Sequence, residues 1–139
     1  MRLVVDTNIF FSGFNPRSYY YPIIKGIYLE KYKLLVSTSV LLEYEEILQK
    51  VFPKELLEQF WLFILTSESV VFVNPTFSFQ LPYADEDDHK FVDCAVCGNA
   101  DFLITNDKHY NMLKDIEFPK VEVIKAETFI EKFIISKSG

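Results

Sequence analysis

The sequence predicts an α/β fold, a three-layer sandwich in which helices cover both faces of a five-stranded parallel sheet. Short apolar segments alternate with helical patterns along the chain, and such alternation is typical of parallel sheets that are buried on both faces. Acidic residues follow two of the apolar segments, Asp6 directly after Val5 and Asp107 three residues after Ile104. Because no linker, repeat or low-complexity stretch interrupts the pattern, we expect one domain over residues 1–139.

Each predicted strand is short and rich in branched or aromatic residues, which favour extended structure. The five strands are expected at Leu3–Val5, Lys33–Val36, Val70–Val73, Phe102–Ile104 and Val121–Ile124. Helical periodicity occupies most of the remaining chain. The helices are expected at about Tyr19–Lys31, Ser39–Val51, Pro53–Leu65, Asp87–Asn99, Lys108–Lys114 and Ala126–Ile135. Two prolines predict a loop or extended crossing over Val73–Tyr83.

The composition indicates a globular protein with a full hydrophobic core. The chain of 139 residues is 50% hydrophobic and 17% aromatic, which fits one folded domain. Its apolar runs are too short for a bilayer span of about 20 residues, and Asp6 interrupts the apolar start too early for a signal peptide. Cys94 and Cys97 provide no disulfide framework. These features predict a cytoplasmic protein without a membrane segment.

The charge of the chain bears on nucleic-acid binding. A net charge of −6 and a pI of about 4.9 argue against an overall basic surface for nucleic acid. They leave a nucleic-acid enzyme open, because a bound metal inverts the local charge and basic side chains can gather at the rim of a site.

Acidic residues that follow strands identify a candidate site. Asp6 directly follows the first predicted strand, and Asp107 comes three residues after Ile104, the end of the fourth. In a doubly wound sheet the first strand is usually central and the strand after the switch lies beside it, so these carboxylates should face each other across one crevice. Taken alone, Asp107 is equally compatible with a helix N-cap.

The helix Ser39–Val51 offers further carboxylates. Its apolar arc is expected to include Val51, and both Glu43 and Glu45 lie at the borders of that arc, whereas Glu46 lies farther into the polar face. Periodicity therefore leaves Glu43 and Glu45 as alternatives, and ordinary surface charge remains a third explanation.

Four acids gather before the helix Asp87–Asn99. Asp85 or Asp87 can cap the helix. Asp88 falls in the middle of the apolar arc, where an unpaired carboxylate costs several kcal/mol. Asp93 shares the polar side with His89 and Lys90, so we expect a subsidiary role for Asp93.

A cluster of these carboxylates favours a hard divalent cation. Carboxylates about 4 Å apart repel by about 4 kcal/mol at an effective dielectric near 20. Mg²⁺ or Mn²⁺ relieves that repulsion with oxygen ligands and retains waters that can become nucleophiles. Zinc is disfavoured because histidine is scarce; His89 and His109 are expected in ordinary surface or supporting roles, and the two cysteines in core packing.

Four segments match the pattern of a known family. They are Val4–Asn8, Ser37–Tyr44, Asp88–Ala95 and Ala100–Asp107, in that order. On these segments the chain resembles a PIN domain, in particular the VapC-like ribonucleases that are the toxin components of bacterial toxin–antitoxin pairs. The match spans nearly the whole chain. One departure is Asn106, where many relatives have Gly; both residues tolerate a positive φ, so the turn is expected to survive.

The resemblance implies a sheet order of 3-2-1-4-5 and a Mg²⁺ or Mn²⁺ site that hydrolyses RNA. It also implies an antitoxin partner and a homodimer or larger assembly. By position, the residues implied as catalytic and metal-binding are Asp6, Glu43, Asp88 and Asp107. Asn8 and Thr105 match the polar residues that orient these carboxylates.

Three other functions share features with this pattern. The chain could be a PIN-like nuclease outside any toxin system, or a non-cleaving binding module that uses its many tyrosines and phenylalanines; the presence of all four expected acids argues against the module. A response-regulator receiver needs a phosphorylated Asp at the end of its third strand. Here the strand Val70–Val73 ends in Asn74-Pro75, which excludes that class.

Overall fold

Five parallel strands form the centre of the computed structural model, which describes residues 1–75, 86–108, 110–111 and 121–136, with the backbone alone for residues 86–88. The strands are β1 (Arg2–Val5), β2 (Lys33–Val36), β3 (Val70–Phe72), β4 (Phe102–Ile104) and β5 (Val123–Ile124). They are hydrogen-bonded in the order β3-β2-β1-β4-β5. The predicted α/β class and strand order are therefore confirmed.

The helices lie between the strands and after the last one. They are α1 (Thr7–Gly13), α2 (Tyr21–Tyr28), α3 (Thr38–Val51), α4 (Lys54–Thr66), α5 (Glu86–Cys97) and α6 (Ala126–Phe129), which continues as a π-helix over Ile130–Ile135. Of the helix expected at Lys108–Lys114, residues 108 and 110–111 form a 3₁₀ turn, and the rest lies outside the described residues. The expected crossing Val73–Tyr83 is described only as far as Pro75.

Helix α1 was not predicted, because its segment combines aromatic residues with Gly13 instead of a helical periodicity. Packing explains why it forms. Phe10 stacks on Tyr44 of α3 with ring centroids 4.0 Å apart. Gly13 lets α2 approach closely, since a Cβ at this position would lie 2.4 Å from a side-chain carbon of Ile24. Tertiary contacts thus outweigh the weak local preference for helix.

Helix α2 is shorter than the predicted Tyr19–Lys31. Pro22 lies in its first turn, where the missing N–H costs no hydrogen bond. At the other end, Glu30 has a φ of 63°, which a continuing right-handed helix cannot accommodate. The chain therefore leaves the helix before Lys31.

Both faces of the sheet are covered. Leu3, Val4 and Val5 of β1 are all fully buried, and successive side chains of a strand point to opposite faces. Helix α5 packs against β1, β2 and β4. Within the described part of the chain, no helix is both long and apolar enough to cross a membrane.

Candidate active site

Asp6 lies at the carboxyl end of the central strand and occupies the N-cap position of α1. Its backbone N–H donates to the carbonyl of Ile104 at 2.9 Å, and Val5 pairs with Ile104 in the sheet. The turn after β4 therefore adjoins the end of β1. This is the arrangement of strand ends that the topology predicted for Asp6 and Asp107.

Thr105 links the two strand ends through its hydroxyl group. Thr105 Oγ1 donates to Asp6 Oδ2 at 2.7 Å and accepts from the backbone N–H of Asp107 at 3.0 Å. Because Thr105 is itself buried, both contacts are held in a fixed geometry. The hydroxyl thus orients the Asp6 carboxylate and shapes the turn that carries Asp107.

Glu43 reaches the same region from α3. Its Oε2 accepts a hydrogen bond from the Thr7 hydroxyl, and its Oε1 lies 3.1 Å from Lys90 Nζ of α5. The next residue, Tyr44, donates its hydroxyl proton to the carbonyl of Val5, which ties α3 to the end of β1. Two hydrogen bonds therefore join adjacent residues of α3 to the chain around Asp6.

The neighbours of Glu43 on α3 differ in position. Glu45 lies two residues on, about 200° around the helix axis, and is partly buried. Glu46 is exposed and lies 4.0 Å from Lys50, one turn farther along, as the periodicity predicted for a solvated residue. Val51 was expected in the apolar arc, but 59% of it is exposed, because α3 ends there and Phe52 leaves the helical path.

Electrostatics link the carboxylates. Burial raises the pKa of Asp6, and the negative charges of Asp107 and Glu43 raise it further. The Thr105 hydroxyl and the backbone N–H of Thr7 oppose this effect and lower the pKa of Asp6. Asp107 and Glu43, which belong to two other elements, are therefore close enough to Asp6 to influence its charge.

Several sequence candidates lie outside the described part of the molecule. Asp85 is outside it altogether, as is His109. Asp88 lies in the first turn of α5, but its side chain is not among those described. Where side chains are described, no group of three or more His, Cys, Asp and Glu residues is arranged to hold a metal ion.

Two other sequence candidates lie on α1 and α5. Asn8 is exposed on the first turn of α1, beside Thr7, whose hydroxyl reaches Glu43; the role of Asn8 in orienting a carboxylate stays a prediction. Asp93 was expected on the polar side of its helix, but only 8% of it is exposed. That expectation was wrong because α5 packs against α3 as well as the sheet, so that more than one side of the helix is covered.

Asn106 acts through its side chain and not through its backbone. Its φ is not among the positive values, which in the described part of the chain occur at Glu30 and Asn99. Asn106 Nδ2 donates to the Tyr20 hydroxyl at 2.9 Å, and its Oδ1 accepts from the N–H of Ala126 at 3.1 Å. The amide therefore joins the turn before Asp107 to the start of α6 and to the chain before α2.

A cavity of about 400 Å³ opens beside this turn. Asp107 lines it, together with Val123 and Ile124 of β5. Lys108 and Lys125 also line it, so basic side chains lie beside Asp107, at the edge of the region that holds Asp6, Glu43 and Asp107 and that we call the acidic crevice. The sequence could not reveal that these two lysines lie near the acidic residues, because each stands among acidic and apolar neighbours in the chain.

Thr7 and Lys90 are the site residues that sequence reasoning missed. Thr7 stands between Asp6 and Asn8, which the sequence analysis had selected. That position is the only feature of the sequence that could have pointed to Thr7. Lys90 was placed with Asp93 on a polar side, and nothing in the periodicity indicates that its ammonium group reaches α3.

Comparisons with known proteins agree with this architecture. A family model described as "PIN domain" matches residues 2–109. Among solved structures, the chain is similar to one in the crystal structure of VapBC2 from Rickettsia felis bound to a DNA fragment from their promoter. The TM-score is 0.59 at 21% identity, and the match covers 90% of this chain and 98% of that chain. At this identity the likeness concerns the fold. No curated protein matches the sequence.

Proposed function

The chain belongs to the PIN domain family, and we propose that it is a metal-dependent ribonuclease that hydrolyses RNA phosphodiester bonds. The observation that carries the proposal is the convergence of Asp6, Glu43 and Asp107 at the carboxyl edge of the sheet, around an Asp6 carboxylate whose pKa is raised by burial and by the other two charges. Such edges are where open α/β sheets build their sites.

The chemistry of the donor set fits a hard divalent cation, although Asp6, Glu43 and Asp107 by themselves are not arranged to hold one. All three side chains offer carboxylate oxygens, which Mg²⁺ and Mn²⁺ prefer. A cation would offset the burial and the repulsion that together raise the pKa of Asp6. We propose that these acids, together with Asp88 at the start of α5, hold one or two Mg²⁺ or Mn²⁺ ions. When bound, the metal supplies charge stabilisation for the scissile phosphate and an activated water.

The remaining residues of the site position these carboxylates. Thr105 fixes one oxygen of Asp6 at 2.7 Å, and Thr7 fixes one oxygen of Glu43. These fixed positions are important because the catalytic rate falls steeply when a ligand oxygen moves by a fraction of an ångström. We propose that Asn8, exposed on the same turn as Thr7, also helps to orient these carboxylates.

The cavity beside Asp107 favours a polyanionic substrate. Lys108 and Lys125 line that cavity, and lysine ammonium groups are common contacts of nucleic-acid phosphates. They place positive charge at the rim of an acidic site in a protein of net charge −6. We propose that the RNA strand passes over this cavity on its way to the acids.

The solved neighbour adds a cellular role to the proposal. It is VapBC2 bound to a DNA fragment from their promoter. Together with the resemblance of the sequence to VapC-like toxins, this supports the proposal that the chain is the toxin component of a toxin–antitoxin pair. Its antitoxin would cover the acidic crevice, and the toxin would self-associate in the cytoplasm. Exposed Tyr19 and partly exposed Trp61 offer aromatic surface for such contacts.

Glutamate variants on α3 test the chemistry. Glu43→Gln should lower RNA cleavage by about two orders of magnitude or more, in line with roughly 3 kcal/mol of transition-state stabilisation. Glu46→Gln is the matched control, since Glu46 is on the same helix but exposed, and it should cleave like the wild type. Cleavage is measured on mixed RNA with Mg²⁺, Mn²⁺ or EDTA. Equal loss in the two variants would show that Glu43 has no special role.

Metal binding can be tested without activity. Mn²⁺ should raise the melting temperature of the wild type, because a ligand that prefers the folded state stabilises it by mass action. Asp6→Asn and Asp88→Asn should abolish that increase. An unchanged response in both variants would place the metal elsewhere. Light scattering and co-expression with the adjacent open reading frame test self-association and the antitoxin; a monomer that no partner inhibits would favour a free-standing nuclease.

A further inference from the structure

Lys90 and Glu43 form an ion pair inside the candidate site. Lys90 Nζ lies 3.1 Å from Glu43 Oε1, and the two side chains are only 21% and 19% exposed. They belong to α5 and α3, and 47 positions separate them in the sequence. The pair therefore depends on the packing of the two helices.

Both oxygens of Glu43 are engaged by protein groups. Oε1 contacts the Lys90 ammonium group, while Oε2 accepts from the hydroxyl of Thr7. The two partners differ in kind. A hydroxyl group is neutral and can remain beside a metal ligand, whereas an ammonium group carries the same sign of charge as a metal ion and is repelled by it.

We propose that Lys90 is a resident counter-cation that competes with the divalent metal for Glu43, and that metal binding displaces its ammonium group. The inference rests on the proposed metal site. In the metal-free protein, Lys90 neutralises part of the negative charge that Asp6, Glu43 and Asp107 bring together. Its flexible four-carbon stem lets the ammonium group withdraw without a shift of α5. Lys90 thus lowers the affinity of the site for metal while keeping the empty site folded.

The alternative is that Lys90 supports metal binding by holding Glu43 in place. The two roles predict opposite changes in metal affinity when Lys90 is removed. If Lys90 competes, its removal strengthens metal binding; if it supports the carboxylate, its removal weakens metal binding.

The test is Mn²⁺ binding by the metal-free full chain, with unbound Mn²⁺ measured by electron paramagnetic resonance. Lys90→Met keeps most of the length of the side chain and removes its charge. It should bind Mn²⁺ about fivefold more tightly than the wild type, the factor that corresponds to roughly 1 kcal/mol for a partly exposed ion pair. Its melting temperature without metal should be lower than that of the wild type, and Mn²⁺ should raise it by more.

Two further variants control the charge and the helix. Lys90→Arg retains the charge and can pair with both carboxylate oxygens, so it should bind Mn²⁺ no more tightly than the wild type. Lys50→Met removes the lysine that faces Glu46 on exposed α3 surface, and it should leave Mn²⁺ binding unchanged. If Lys90→Met does not fold, Lys90→Gln takes its place.

Equal or weaker Mn²⁺ binding by Lys90→Met, or tighter binding by Lys90→Arg, would overturn the competition. If the wild type and every variant failed to bind Mn²⁺, the metal site itself would be refuted. The two failures are therefore distinguishable.

Discussion

The hydroxyl group of Tyr44 links the hydrophobic core to the acidic crevice. The change in the free energy of unfolding on its removal can be worked out from the structure. Tyr44 is fully buried, its hydroxyl donates to the Val5 carbonyl, and its ring stacks on Phe10 at 4.0 Å. Tyr44→Phe keeps the ring and deletes the donor alone. The variant therefore isolates the hydrogen bond from the packing.

The expected cost of Tyr44→Phe follows from the burial of both partners. A net hydrogen bond contributes about 0.5–1.5 kcal/mol, and a buried acceptor that loses its donor costs about 1–3 kcal/mol. We expect the free energy of unfolding to fall by about 1.5 kcal/mol. For a chain of 139 residues that loss corresponds to a decrease of about 5 °C in melting temperature.

Urea unfolding followed by circular dichroism measures this loss directly. Tyr28→Phe is the matched control, because Tyr28 is 68% exposed and its hydroxyl can exchange its partners with water; its unfolding free energy should stay within about 0.5 kcal/mol of the wild type. If the two variants lose equal stability, the Tyr44 hydroxyl does not hold α3 against the end of β1.

Two further predictions concern titratable groups. Metal-free Asp6→Asn should be more stable than the wild type at pH 7, because a raised pKa in the folded state means that ionised Asp6 opposes folding; this advantage should vanish as the pH falls below about 4, where the carboxyl group is protonated in both states. Urea unfolding at pH 7 and pH 3.5 checks it, and an advantage that is constant with pH would contradict the assignment. Iodoacetamide at pH 8 should label Cys97 and spare Cys94 in the folded protein, because burial, with the neighbouring Cys97 and Asp93 charges, raises the pKa of the Cys94 thiol to about 12. Peptide mass spectrometry reads the labelling, and equal modification of the two cysteines would refute the prediction.

The sequence predicted the elements whose local pattern and tertiary environment agree. Strand β1 is buried on both faces of the sheet, so its position in the chain could be predicted from its run of apolar residues. The proximity of Asp6 to the turn before Asp107 followed from topology, since parallel strands that pair bring their carboxyl ends together. Helix α1 was missed because the energy that forms it comes from the stacking of Phe10 and the close approach at Gly13.

The site was predictable only in part, for a similar reason. Periodicity left Glu43 and Glu45 equivalent, because both border the apolar arc of α3; the packing of α3 against α1 is what brings Glu43 to Thr7. Contacts between helices far apart in the sequence, such as Lys90 with Glu43, leave no mark in the pattern of either helix. Asp93 illustrates the opposite error, since a residue on a polar arc can be buried by a second neighbour.

The pairing of β1 with β4 has a consequence for the time at which the crevice forms. Thr105 and Asp6 are 99 positions apart, and the Asn106 amide contacts Ala126, which is synthesised later still. A nascent chain that has emerged only as far as β3 contains Asp6 and Glu43 but neither Thr105 nor Asp107. Contacts between such distant positions also form slowly. The proposed nuclease would therefore remain incomplete until the chain has been synthesised past Ala126, so that it could cleave no RNA before that point.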